Sequence, residues 1–83
     1  MPFTVYILTS IANPKRTYIG YTTNITQRMI AHNGKKATGY SNHYAPWKLE
    51  TSVVFHEKKL ALEFERYLKS GSGQAFLMKH FLP

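Results

Sequence analysis

Cysteine is absent from the chain, so disulfide staples, thiolate zinc centres and a cysteine nucleophile are all excluded. Aspartate is absent as well. The only acids are Glu50, Glu57, Glu63 and Glu65, too few for a calcium loop or a carboxylate cluster holding two metals. No apolar run approaches the roughly 20 residues of a membrane span, so no membrane partner is expected. The stretch from Met1 to Leu8 has neither a basic region nor a cleavage site, and export is not expected. Repeats and low-complexity tracts are missing too. What remains is strongly one-sided: eleven Lys and Arg give a net charge of +7 on 83 residues. A composition 43% hydrophobic and 14% aromatic supports one small core, and a single domain over residues 1–83 is predicted. The charge excess points to a polyanionic partner.

The pattern along the chain predicts an α+β domain, a small three-stranded antiparallel sheet flanked by helices in the order ββαβαα. Phe3 to Thr9 and Thr17 to Tyr21 are rich in β-branched and aromatic residues and read as two strands, joined by a loop holding Asn13-Pro14. Asn24 with Gln27 three residues on signals a helix start, Ile25 and Met29 supply its apolar stripe, and Asn33-Gly34 ends it. Trp47 to Phe55 is a third strand with Trp47, Leu49, Val53 and Phe55 expected inward. Glu57 to Lys69 is a helix with Leu60, Phe64 and Leu68 at every fourth residue, widened by Ala61 and Tyr67. Ser70-Gly-Ser-Gly73 breaks it, and Gln74 to Phe81 forms a last helix. The expected core is Val5, Ile7, Ile19, Ile25, Met29, Leu49, Val53, Leu60, Phe64 and Leu68.

Several side chains in this frame carry chemistry. If strand partners share parity, Tyr6 and Tyr18 emerge on one side of the hairpin, beside a gap at Gly20 where a backbone or ligand can approach. Arg28 and His32 lie four apart, about 40° from each other around the helix, and combine a forked cation with an imidazole that titrates near neutrality. Glu63 and Glu65 fall on opposite flanks of the apolar arc, so a metal there has one protein carboxylate and waters, as magnesium accepts. Lys35, Lys36, Tyr40, His43 and Tyr44 mix cations for phosphates with rings for nucleobases, a candidate nucleic-acid-binding loop. His32 and His43 match no zinc spacing. Each feature also has an ordinary structural reading: strand aromatics, a solvated arginine, a histidine at a helix end, glutamates paired to Lys59 or Lys69 one turn away.

Taken together in order, Thr4-Val5-Tyr6, Tyr18-Ile19-Gly20, the run Thr22 to Arg28, His32, Tyr44-Ala-Pro-Trp-Lys-Leu49 and Ala61 to Gly73 resemble the GIY-YIG nuclease superfamily. The second half of the signature matches letter for letter, while Thr-Val stands where the first half has Gly-Ile. The resemblance covers essentially the whole chain and implies a small stand-alone member of that fold, hydrolysing phosphodiester bonds in DNA with one divalent metal. By position it implies Tyr6 and Tyr18 as signature tyrosines, Arg28 as catalytic arginine, His32 as the helix histidine and Glu65 as metal ligand. Mg²⁺ is the expected cofactor, with Mn²⁺ as the alternative. Repair or processing of structured DNA and a bacterial cytoplasm are the expected setting.

Phosphodiester hydrolysis needs an activated water, charge neutralisation at phosphorus and help for the departing oxygen. Glu65 with its metal and Arg28 meet the last two needs. Tyr6 is favoured as the base, provided nearby cations lower its ordinary pKa of about 10, with Tyr18 and His32 placing water and phosphate. His32 taking the proton, directly or through a tyrosine, is the alternative. The competing readings are a non-catalytic nucleic-acid-binding module and a scaffold for an acidic protein. DNA is the expected partner, RNA fits the same charge, and targeting is expected to involve a partner protein or a second copy.

Overall fold

Strand β1 (Phe3–Ser10) is buried from Thr4 to Ser10, and its Val-Tyr-Ile-Leu run is apolar on both faces because both faces are covered. It is the central strand of a computed structural model that describes residues 2–34 and 43–82. β2 (Thr17–Thr22) and β3 (Trp47–Phe55) flank it in the order β2-β1-β3, both antiparallel to it. With helices α1 (Ile25–Asn33), α2 (Lys58–Leu68) and α3 (Gly71–His80), the element order among the described residues is ββαβαα, as predicted.

The sheet separates two apolar clusters. Val5, Ile7 and Ile19 face Ala61 and Leu68 of α2 and Leu77 of α3, with Phe55, Phe64, Phe76 and Phe81 packed around them. On the other face Tyr6, Leu8 and Trp47 pack with Tyr18, Tyr44, and Ile25 and Met29 of α1. α1 begins where expected: the Asn24 side chain accepts from the Gln27 amide at 3.0 Å, satisfying a donor the helix leaves free.

Two residues of the expected core, Leu49 and Leu60, are exposed instead, for identifiable reasons. In β3 the pairing runs Ile7↔Thr51 and then Leu8↔Leu49, so Glu50 is an extra residue that flips the strand's alternation. Trp47 therefore joins the Tyr6 face, Val53 and Phe55 point the other way, and Leu49 is 42% exposed. In α2 the buried arc is turned about 40° from the predicted one. Ala61 and Leu68 are buried, Leu62 and Phe64 half-buried, and Leu60 is 47% exposed. That rotation carries Glu65 toward the interior and leaves Glu63 in solvent.

The α2–α3 corner is tight. Ser70 Oγ donates to the Tyr67 carbonyl at 2.6 Å and accepts from the Gly73 amide at 3.1 Å. Gly73 passes so close to the backbone of Tyr67 and Leu68 that no side chain fits there.

Candidate active site

The strand register decides the centre of the site. Tyr6 pairs with Gly20 and Leu8 with Tyr18, so partners share parity and both tyrosines stand on the α1 face of the sheet. Their rings stack at 6.3 Å and 17°. The expected gap at Gly20 is not open: a Cβ there would run into the Tyr6 hydroxyl and ring, coming within 2.9 Å of Cε1. Gly20 is thus the floor over which the Tyr6 ring lies.

Above that floor, His32 of α1 places Nε2 at 3.0 Å from the Tyr6 hydroxyl. The imidazole meets Tyr18 edge-on at 4.6 Å and Tyr6 at 5.8 Å. It is buried, and so is Trp47, whose ring lies 6.1 Å from Tyr18. Asn33, the next residue of α1, holds the Trp47 backbone from both sides. Its Oδ1 accepts from the Trp47 amide at 2.7 Å and its Nδ2 donates to the Trp47 carbonyl at 3.1 Å. The last turn of α1 is thereby fixed to the first residue of β3.

Burial and charge set the protonation of the pair. Burial, chiefly, with help from Tyr18 and Glu65, pushes the Tyr6 phenol up to about 12, against the opposing pull of Arg28. The expected lowering by cations is therefore outweighed. Burial first, and the Arg28 guanidinium second, hold His32 below the ordinary histidine value. At neutral pH a protonated phenol faces a neutral imidazole, and with the ring proton on Nδ1 the phenol donates to Nε2.

Arg28 and Glu65 approach from elements on opposite faces of the sheet, and both act electrostatically on Tyr6. Arg28 is exposed and borders a cleft of about 330 Å³ with Thr22, Asn24 and Gln27. The Glu65 side chain is only 21% exposed, and its Oε2 lies 3.3 Å from Lys69 Nζ. Among the described residues no three His, Cys, Asp or Glu are grouped to hold a metal. A lone carboxylate completed by water suits magnesium and does not suit zinc.

The structure thus draws Tyr6, Tyr18 and His32 into contact, and the charges of Arg28 and Glu65 bear on the Tyr6 phenol in opposite senses. Of the candidate nucleic-acid-binding residues, Tyr44 packs against the aromatic cluster and exposed His43 meets its ring at 4.6 Å. Lys35, Lys36 and Tyr40 lie outside the described residues. Sequence reasoning missed Arg16, whose guanidinium sits 5.1 Å over the Tyr44 ring, and the clamp made by Asn33. Neither has a local pattern, because each pairs residues far apart in the chain.

Two tyrosines and a helix histidine thus share one face of a three-stranded antiparallel sheet in a small α+β domain. Residues 2–79 match the family model described as the GIY-YIG catalytic domain, and the chain belongs to that family. It is 37% identical over 60 residues to a UPF0213 protein of Streptococcus agalactiae, covering 72% of this chain and 68% of that one. It is also 37% identical over 71 residues to the structure-specific endonuclease subunit SLX1 of Debaryomyces hansenii, covering 78% of this chain. The chain spans only 20% of that subunit's length. The solution NMR structure of the UPF0213 protein BH0048 from Bacillus halodurans superposes with a TM-score of 0.57 at 28% identity, over 95% of this chain and 84% of that one.

Proposed function

We propose that the chain is a Mg²⁺-dependent endonuclease that hydrolyses phosphodiester bonds in structured DNA. The observation that carries this reading is the Tyr6 hydroxyl, bonded to a neutral His32 at 3.0 Å and acted on by both Arg28 and Glu65. A nearby cation and carboxylate at one buried proton-carrying pair make an arrangement suited to hydrolysis.

Glu65 would hold the divalent ion. When bound, that ion supplies Lewis acidity to a phosphate oxygen and steadies the departing one. Arg28 brings a planar fork to the phosphate from the α1 side and offsets the charge that grows at phosphorus. A phenol held near 12 is not a free base at neutral pH. The attacking water therefore gives its proton to the Tyr6 oxygen as Tyr6 passes its own proton to His32 Nε2. This leaves hydroxide at phosphorus, a neutral phenol and an imidazolium. Tyr18, wedged against Tyr6, His32 and Trp47, keeps the two partners in register. Arg16, Tyr44 and His43 offer a nucleic-acid strand charge for its phosphates and rings for stacking.

The name of the SLX1 relatives, a structure-specific endonuclease subunit, supports branched or otherwise structured DNA as substrate and a partner subunit for targeting. The purified chain should cut branched, nicked or supercoiled DNA in Mg²⁺ and not in EDTA, and Tyr6→Phe should abolish cutting. Retarded DNA with no strand scission under any metal would make the chain a binding module instead, and preferential cutting of folded RNA would reassign the substrate.

A further inference from the structure

Lys69 is not used by the chemistry above, yet it touches the one carboxylate of the site. It caps the C-terminus of α2, one turn after Glu65, with Nζ at 3.3 Å from Glu65 Oε2. The two ends of the pair differ: the glutamate side chain is 21% exposed and the lysine side chain 56%. The tight α2–α3 corner, with Ser70 capping and Gly73 against Tyr67, fixes where the lysine stem leaves the backbone. Its ammonium therefore swings on four flexible bonds about a fixed root, beside the Glu65 carboxylate.

We propose that Lys69 serves two anions in turn: it neutralises Glu65 while no divalent ion is bound, and it turns to the substrate phosphate once one is. The inference rests on Glu65 being the metal ligand. A cation seated on Glu65 repels an ammonium 3.3 Å from the same oxygen, and the lysine leaves. The nearest new anion is then the phosphate whose oxygen an ion on Glu65 would hold beside that carboxylate. Lys69 thereby both weakens metal binding by the free protein and strengthens the grip on nucleic acid in the metal-loaded one. An ordinary surface pair at i, i+4 does neither.

The test uses two readouts that move in opposite directions. Mg²⁺ is titrated into the ¹⁵N-labelled chain and into Lys69→Met, following the amide shifts around Glu65. The variant should bind Mg²⁺ about threefold more tightly, the strength of an exposed ion pair. DNA binding is then measured against salt in the uncut Tyr6→Phe background. In EDTA the lysine and methionine forms should have the same salt slope. In Mg²⁺ the methionine form should lose roughly 0.9 from it, one phosphate contact, and Lys69→Arg should keep it. Equal Mg²⁺ affinities, or equal DNA slopes in Mg²⁺, overturn the proposal and leave Glu65 as metal ligand. No saturable shift at Glu65 in either protein overturns the ligand assignment and the proposal with it.

Discussion

Gly20→Ala is the smallest change that should disorganise the site. The added methyl meets the Tyr6 hydroxyl and ring, which have nowhere to go: the tyrosine is 2% exposed and lies against Tyr18 and His32. Forcing a methyl into a filled space costs about 1–3 kcal/mol. Displacing the phenol from His32 Nε2 breaks a buried hydrogen bond worth about 1 kcal/mol. Replacing a strand glycine returns about 0.5–1 kcal/mol. The net loss is about 1–3.5 kcal/mol, centred near 2, or a fall in melting temperature of roughly 10–15 °C at that centre for a chain of this size. Thermal unfolding by circular dichroism measures it, and a double-mutant cycle assigns it. In a Tyr6→Ala background the clash partner is gone, so Gly20→Ala should there be neutral or slightly stabilising. An equal loss in both backgrounds would show that the tyrosine is not what fills the space over Gly20.

Other predictions concern protonation and the clamp. Since His32 is held below its unfolded value, the unfolded chain takes up a proton first, and its contribution to stability should decline as pH falls below about 6.5. Tyr6 has the opposite sense: its phenol is raised, so stability should drop as pH climbs from about 10 toward 12, as urea midpoints across pH would record. Arg28→Gln removes a charge that lowers both groups, and the His32 ring resonances should titrate at higher pH than in the parent; an unchanged midpoint would place the guanidinium elsewhere. Asn33→Ala removes two hydrogen bonds to the Trp47 backbone at a cost of about 1–3 kcal/mol. Trp47 is the only tryptophan, so a red-shifted emission would report the loosened strand directly.

The element order and the cap at Asn24 were legible because each depends on local periodicity or a short spacing, whereas the side shared by Tyr6 and Tyr18 stayed conditional on a strand register that only the pairing decides. The bulge at Glu50 was not. Nothing in Trp47–Phe55 marks one residue as extra, and that residue decides which face Trp47 takes. The helical wheel placed Glu63 and Glu65 symmetrically about an arc whose true centre depends on tertiary packing. Only with α2 seated on the sheet through Ala61 and Leu68 does Glu65 turn inward. The protonation of the pair was likewise hidden: the sequence supplies the cations near Tyr6, but burial outweighs them. Contacts such as Asn33 with Trp47 and Arg16 with Tyr44 join distant segments and leave no local trace.

The account stands most directly on Glu65→Gln. The swap keeps the side chain's size and removes only its charge, and an exposed-ended pair with Lys69 contributes little to folding. With Mg²⁺ present, the parent should convert a branched DNA to shorter strands while the variant leaves it whole, both proteins melting within a few degrees of each other. Strand cutting by the variant at the parent's rate would contradict the assignment of that carboxylate to catalysis.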